Sequence, residues 1–202
     1  GKVEFLEEMT ARYLNGIYCD PAKIQEWYAG GADIKGLPNS GIWPDYAWDK
    51  VVINNQGFSL YPFTKSCLRI LYNNLKFRTP RYFLLEVVKA QLKEFFDGKI
   101  YGEWGFPTSA HIADLADASV QMKDVQASLI DRQAGISDND KARLKLLLAV
   151  WGDKTCQSVQ RSGEVYIGTI PQKFLAEIDL GSFGGQEATA TSGAQPPAPA
   201  PE

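Results

Sequence analysis

The residues with the clearest potential for chemistry are two arginines beside the start of a predicted helix, Arg78 and Arg81. Thr79 is a favourable N-cap and Pro80 suits the first helical position, so Arg81 lies in the first turn. A cation there faces the positive end of the helix dipole, which costs about 0.3 to 1 kcal/mol unless an anion offsets it. The sequence therefore predicts that this helix start meets an anion.

The helix that positions Arg81 is predicted from its hydrophobic periodicity. Apolar residues recur at spacings of three and four over 83–96, and the pattern ends at Asp97-Gly98. A second amphipathic helix precedes it, with Thr64 as its predicted N-cap. The loop Lys76-Phe77-Arg78 joins the two helices and brings Arg78 close to Arg81 in the chain.

A short helix, a turn, and then Pro-Arg at the start of the next helix resemble the small lid domain of prokaryotic AAA+ and STAND-type P-loop ATPases, particularly the origin-recognition type. In those families the lid arginine called sensor 2 points toward the γ-phosphate bound on the preceding domain. The resemblance assigns this nucleotide-sensing role to Arg81, with Arg78 as the second candidate. More loosely, the stretch 58–96 is similar to segments of large ATPases from anti-phage systems such as BREX and phosphorothioation restriction.

The motifs of a complete ATPase are missing from the sequence. There is no G-x-x-x-x-G-K-[ST] loop and no hydrophobic strand that ends in an Asp-Glu pair, so the phosphate cradle and the magnesium ligands are absent. The resemblance implies that ATP and Mg²⁺ are bound by another domain, and we expect this chain alone to bind no cofactor. Because it starts at Gly1 without Met, we expect it to be a segment of a longer polypeptide.

Composition indicates a soluble protein. At 202 residues and 45% hydrophobic content, the chain can bury a core as one domain or two small ones. Cys19, Cys67 and Cys156 are odd in number and far apart, which argues against a disulfide framework and a C-x-x-C zinc site. His111 is the only histidine. Without a signal peptide or a membrane-length apolar stretch, the sequence predicts a cytoplasmic location, no metal and no membrane partner.

The net charge of −3 conceals a basic island over residues 61–101. This stretch contains eight Lys and Arg against three Asp and Glu, a net charge of +5, and it includes the lid-like region. A basic island in an acidic chain suits a phosphate-bearing partner, either a nucleotide or a nucleic acid. Solvated lysines on helices give the same count, which is the alternative explanation.

Residues 106–180 are predicted to form a winged-helix-like module. Its predicted elements are three helices, two strands joined by Arg161-Ser162-Gly163, and a final helix: 109–118, 120–133, 137–151, 155–159, 163–170 and a last one that begins at Pro171. A winged helix commonly follows the lid in origin-type ATPases, so the resemblance implies contact with DNA. The candidate DNA-binding cations are Lys141, Arg143, Lys145, Lys154 and Arg161. Neighbouring acidic residues balance their charge, so a packing or protein-contact role is the alternative.

The loop-rich stretch 29–57 carries Trp43, Tyr46 and Trp48. Aromatic residues in a loop either line a ligand or partner surface or anchor the loop in the core. The three residues are therefore the candidate interaction site of a second hypothesis, in which the chain is a non-enzymatic, helical protein-protein interaction module. The Pro- and Ala-rich segment 181–202 lacks hydrophobic periodicity and is predicted to be a disordered tail.

The predicted fold class is mainly α with a small β component, a helical lid-like bundle followed by a winged-helix-like module. Its predicted regions are 1–57 (helices and aromatic loop), 58–105 (lid-like), 106–180 (winged-helix-like) and 181–202 (tail). The predicted function is the regulatory C-terminal part of a larger P-loop ATPase that couples nucleotide state to DNA or a protein partner, in anti-phage defence if the looser resemblance holds. No residue pattern assigns a catalytic group.

Overall fold

The structure, a computed structural model, describes residues 2–183, and the side chains of residues 2, 3 and 34 are outside the description. Most of the predicted tail, residues 184–202, lies outside the described residues. The first residues assigned to that tail behave as part of the fold, because Phe183 is buried.

The N-terminal region consists of two helices, a short 3-10 helix and a β-hairpin. Their bounds are α1 (Lys2–Tyr18), α2 (Pro21–Ala29), the 3-10 helix (Ile34–Gly36), β1 (Lys50–Ile53) and β2 (Gln56–Ser59). The strands pair antiparallel, with Lys50 opposite Ser59. Asn54 and Asn55 both have positive φ, of 49° and 64°, which suits a two-residue hairpin turn. Val51-Val52-Ile53 is a β-branched run that predicts a short strand and lies within β1, whereas the second strand was missed.

The lid-like region contains the two helices that the sequence predicted. They are α3 (Lys65–Asn73) and a continuous helical segment made of α4 (Pro80–Tyr82), a π-helical stretch (Phe83–Val88) and α5 (Lys89–Tyr101). Thr64 caps α3 by accepting a hydrogen bond from the Cys67 amide at 3.1 Å. The second helix continues past its predicted end and stops at Gly102, whose φ of 74° is left-handed.

Residues 109–118 form turns, so the helix predicted there was wrong. Asp114 and Asp117 explain the difference, because their carboxylates accept hydrogen bonds from the amides of Ala116 (2.9 Å) and Ser119 (2.7 Å). Such local side-chain bonds offer the backbone an alternative to the helix. The next helices are α6 (Asp124–Asp131) and α7 (Asp138–Val150).

The C-terminal part is a small antiparallel sheet followed by a short helix. The elements are β3 (Ser158–Arg161), β4 (Glu164–Ile167), β5 (Ile170–Pro171) and α8 (Gln172–Glu177), with the strands in the order β3-β4-β5. The predicted hairpin turn is confirmed, with Ser162 and Gly163 at positive φ of 50° and 83°. The third strand was not predicted.

One continuous cluster of buried apolar side chains draws on all three predicted regions between residues 1 and 180. At its centre the Trp151 indole nitrogen donates to the Pro62 carbonyl at 2.9 Å, and the Thr64 hydroxyl donates to the Trp151 carbonyl at 3.0 Å. Phe106 packs edge-on against Trp151, with ring centroids 5.3 Å apart. The predicted fold class, mainly α with a small β component, is confirmed.

Candidate functional site

The turn that carries Arg78 and Arg81 has a well-defined backbone. The Tyr72 hydroxyl donates to the Arg78 carbonyl at 2.7 Å, and the Thr79 amide donates to the Phe77 carbonyl at 3.0 Å. The Thr79 hydroxyl accepts a hydrogen bond from the Tyr82 amide at 3.2 Å, as the sequence predicted for an N-cap. These bonds fix the position from which each cation projects.

Aromatic packing holds the same turn against the rest of the protein. Tyr72 lies edge-on to Phe83, with ring centroids 5.7 Å apart, and Phe77 lies edge-on to Tyr82 at 6.1 Å. Leu75, just before the turn, is buried in the core. Phe77 is nevertheless largely exposed, so the turn presents an aromatic ring to solvent beside its charges.

Three cations of this turn are exposed and have no carboxylate partner within residues 2–183: Lys76, Arg78 and Arg81. We call these residues, with Phe77, the basic turn. Lys76 approaches only the Phe77 ring, with Nζ 5.6 Å from the centroid. Together with the first amides of the helix, the three side chains create a local positive potential that favours an anion.

Three other cations on neighbouring elements are paired with carboxylates. Lys65 and Arg69 of α3 both reach Glu7, at 3.9 Å and 2.8 Å, and Lys93 reaches Asp97 at 2.5 Å. Lys89, on the helix that follows the turn, is also exposed and without an ion pair among the described residues, so what distinguishes the basic turn is that three such cations lie on one turn.

The π-helical stretch Phe83–Val88 directly follows the basic turn. A π-helix inserts an extra residue into the helical repeat and occurs frequently at functional sites. Within this stretch Phe83, Val87 and Val88 are buried. Nothing in the local sequence predicted it.

Arg143, proposed from the sequence as a DNA contact, is a buried structural cation. Its side chain is 5% exposed. Its guanidinium donates to the carbonyls of Phe106 (2.8 Å) and Ile178 (2.7 Å) and to the Asp140 carboxylate (2.8 Å). Burial lowers the pKa of Arg143, and Asp140 opposes that shift. Its donors point into the protein, away from any DNA-facing surface.

The other four DNA-binding candidates do not form one free basic surface. Lys145 pairs with the Asp131 carboxylate at 2.8 Å, and Lys141 donates to the Asp131 carbonyl at 3.0 Å. Lys154 donates to the Ala118 carbonyl. Arg161 is exposed on the hairpin, where its guanidinium lies 5.7 Å from the Tyr166 ring centroid.

The aromatic loop separates into one surface residue and two core anchors. Trp43 is 43% exposed and its ring lies over Gly57. The Trp48 indole nitrogen donates to the Phe63 carbonyl at 2.8 Å, and the Tyr46 hydroxyl donates to Glu177 at 2.6 Å. Of the three candidate interaction residues, Trp43 is therefore the one whose side chain is exposed at the surface.

Glu177 was not singled out in the sequence, although it is the centre of a polar cluster. Tyr46, Tyr61 and Lys99 all donate to its carboxylate. The partners lie far from Glu177 in the chain, and no spacing rule connects them. Only the tertiary fold brings these side chains together.

No protein-family model, curated protein or solved structure matches this chain. Among the described helices, none has both the length and the apolar character that crossing a membrane requires. Across residues 2–183, no group of three or more His, Cys, Asp and Glu side chains is arranged to hold a metal ion.

Proposed function

We propose that this chain is the regulatory, lid-bearing part of a larger P-loop ATPase, and that its basic turn contacts the phosphates of a nucleotide bound by another domain. One observation carries the proposal: three exposed cations that have no carboxylate partner within residues 2–183 lie on one turn at the start of a helix. Arg81 is the principal phosphate contact, and Arg78 is the second.

The electrostatics of the turn favour an external anion. Three like charges and the positive end of a helix dipole repel one another in the absence of a counter-charge. On the adjacent helix α3, by contrast, Lys65 and Arg69 both pair with Glu7 of α1. An anion supplied by a partner would stabilise the basic turn in the same way.

A phosphate chain suits this turn better than a single carboxylate. A triphosphate carries several negative charges, which matches three cations within six residues. The planar guanidinium groups of Arg78 and Arg81 can each donate two parallel hydrogen bonds to phosphate oxygens. Because hydrogen bonds already fix the backbone of the turn, the conformational entropy lost when the phosphate binds comes mainly from the cationic side chains.

The partner to which nucleotide state is coupled is, in this proposal, a protein. Arg143 is buried, and Lys141 and Lys145 are both engaged by Asp131, which removes most of the cations that a DNA contact would need. The hairpin β1-β2 instead offers an apolar surface. Val52 is exposed, it pairs with Gly57, and the Trp43 ring covers Gly57.

The first test is the coding sequence upstream of Gly1. The proposal expects a G-x-x-x-x-G-K-[ST] loop within about one domain length, roughly 150 to 250 residues. A native protein that begins near Gly1 would contradict the ATPase hypothesis, and the Trp43 surface would then be the main candidate for function.

The second test is ATP turnover by the full-length protein carrying Arg81→Ala. We expect kcat to fall about tenfold or more, because a cation that meets the transferring phosphoryl group contributes mainly to transition-state stabilisation. Lys89→Ala is the matched control, since Lys89 is exposed on the same helix and has no ion pair within the described residues. Equal turnover in wild type and both variants would contradict the role of Arg81.

A further inference from the structure

Three hydrogen-bond donors from separate parts of the chain converge on the carboxylate of Glu177. Tyr46 of the aromatic loop donates to Oε2 at 2.6 Å, and Lys99 of α5 approaches Oε1 at 2.5 Å. Tyr61, which follows the hairpin, donates to the same Oε1. All three donors are thus directed at one small anion, and we call them the carboxylate cradle.

The walls of the cradle are aromatic. Lys99 Nζ lies 5.0 Å from the Phe95 ring centroid and 5.6 Å from that of Tyr61. Trp48 packs against Tyr61 at 5.5 Å and against Phe174 of α8 at 4.5 Å. These surroundings lower the local dielectric, which strengthens the attraction between Lys99 and a carboxylate.

A fourth hydroxyl in this part of the protein has no hydrogen-bond partner. Tyr18 Oη is buried and unpaired within the described residues. Burial raises the pKa of Tyr18, and the negative charge of Glu177 raises it further. Buried hydroxyls usually find a partner, so the region around Glu177 has more donor capacity than the single resident carboxylate uses.

Glu177 can leave the cradle without unfolding α8. Its side chain is 28% exposed and that of Lys99 is 39% exposed, so the ion pair borders solvent. Phe174 and Leu175 of the same helix are fully buried, and they hold α8 in place while the Glu177 side chain changes rotamer. The exchange therefore involves one side chain rather than a helix.

We infer that Tyr46, Tyr61 and Lys99 form an exchangeable carboxylate-binding site, in which Glu177 is the resident ligand and the Asp or Glu side chain of an acidic partner segment is the competitor. The donors determine the chemical class of the ligand, because the two phenol hydroxyls and the ammonium group all donate to Glu177 and together match one negatively charged carboxylate. The inference does not depend on the nucleotide role of the basic turn.

Glu177→Ala tests whether the cradle binds a free carboxylate. The truncation removes one methylene carbon and the carboxylate, which together correspond to acetate. We expect Tm to fall by about 3 to 8 °C, and sodium acetate to restore more of that loss than sodium chloride at equal ionic strength. Acetate should leave wild type unchanged, because its cradle is filled.

The double variant Tyr61→Phe/Glu177→Ala is the control for the donors. It keeps the ring and its packing but lacks one hydroxyl, so acetate should restore less stability than in Glu177→Ala alone. Equal acetate effects on wild type, the single variant and the double variant would mean an adventitious additive only. The absence of any acetate effect beyond that of chloride would also overturn the inference.

Competition is tested with a hexaglutamate peptide and isothermal titration. We expect Glu177→Ala to bind the peptide at least tenfold more tightly than wild type, because wild type must first displace its own carboxylate. Glu164→Ala, which removes a carboxylate on the neighbouring strand β4, should bind like wild type. Equal affinity of wild type and Glu177→Ala, or no binding by either, would contradict exchange at this site.

Discussion

The basic turn and the carboxylate cradle differ in whether their cations are paired. One helical segment, from Pro80 to Tyr101, carries a cation of each region, Arg81 near its start and Lys99 near its end. The basic turn leaves Arg81 exposed and unpaired within the described residues, whereas the cradle pairs Lys99 with Glu177 at 2.5 Å. The first arrangement costs stability and is suited to an external ligand. The second provides its own ligand and contributes to the fold.

The comparison also indicates how the two regions could communicate. A helix rises about 1.5 Å per residue, so a rigid segment would place the proposed phosphate contact and the cradle at opposite ends of one helix. Lys99 links this helix to α8 through its ion pair with Glu177. A movement of the basic turn toward a nucleotide would therefore alter the geometry of the cradle, if both proposals hold.

The largest loss of stability is expected at Arg143, a cation that is neither exposed like Arg81 nor partly exposed like Lys99, but buried. Arg143→Met keeps most of the side-chain volume but leaves the carbonyls of Phe106 and Ile178 without their donor. We expect the free energy of unfolding to fall by about 3 to 5 kcal/mol, because breaking a buried charged network leaves uncompensated polar groups. Urea denaturation monitored by tryptophan fluorescence measures this. Arg161→Met, at an exposed position, should change stability by less than about 0.5 kcal/mol, and equal losses in both variants would be inconsistent with this assignment.

A smaller loss is expected when the cradle loses its charge in Glu177→Gln. The variant keeps the shape of the side chain but is uncharged. It therefore no longer offers the three donors a negatively charged acceptor. We expect the unfolding free energy at neutral pH to fall by about 1 to 3 kcal/mol, the range for hydrogen bonds to charged groups. Tyr46→Phe removes a single donor, so its loss should be smaller than that of Glu177→Gln.

Glu177→Gln also tests how the stability of the protein depends on pH. Burial alone would raise the pKa of Glu177, but hydrogen bonds from Lys99, Tyr46 and Tyr61 outweigh it and leave this pKa below its ordinary value of 4.5. A depressed carboxylate pKa contributes stability above pH 4.5 that is lost as the pH falls through the folded-state pKa. The stability difference between wild type and Glu177→Gln should therefore shrink in acid. A difference that stays constant from neutral pH to about pH 3 would show that the charge of Glu177 is not stabilising.

The backbone of the basic turn depends on its N-cap. Thr79→Ala removes the hydroxyl that accepts from the Tyr82 amide, and we expect a loss of about 1 kcal/mol. Thr79→Ser keeps the hydroxyl and should lose little. In the full-length protein, Thr79→Ala should also weaken the proposed phosphate contact of Arg81, because the position of Arg81 is less well fixed. Equal stabilities for the two Thr79 variants would mean that the cap contributes nothing.

Local sequence signals predicted much of this fold and little of its polar organisation. Thr64 and Thr79 act as caps where the sequence placed them, because capping depends on neighbours a few residues away. Arg143 was misassigned on polarity alone. It lies four residues before the buried Leu147, a spacing that puts both on the same helix face.

The cradle could not have been predicted from the sequence. Tyr46 and Glu177 are separated by 131 positions, and their approach depends on how α5, α8 and the aromatic loop pack together. The sequence also could not show that the cations of the basic turn lack partners among the described residues, because a count of cations over 61–101 does not distinguish paired side chains from unpaired ones. Lys93 and Arg81 belong to the same basic island, yet only Lys93 pairs with a described carboxylate.

The smallest expected effect on stability belongs to Arg81→Ala, and it tests the comparison most directly. Removing an unpaired cation from a helix start should leave the unfolding free energy unchanged or raise it by up to about 0.5 kcal/mol at low ionic strength. Sodium tripolyphosphate should stabilise wild type by mass action. It should stabilise Arg81→Ala less than wild type, and Lys89→Ala as much as wild type. Equal stabilisation of all three proteins would mean that polyphosphate binds elsewhere. A clear loss of stability in Arg81→Ala without added anion would show that Arg81 has a structural partner and that the basic turn belongs with the cradle.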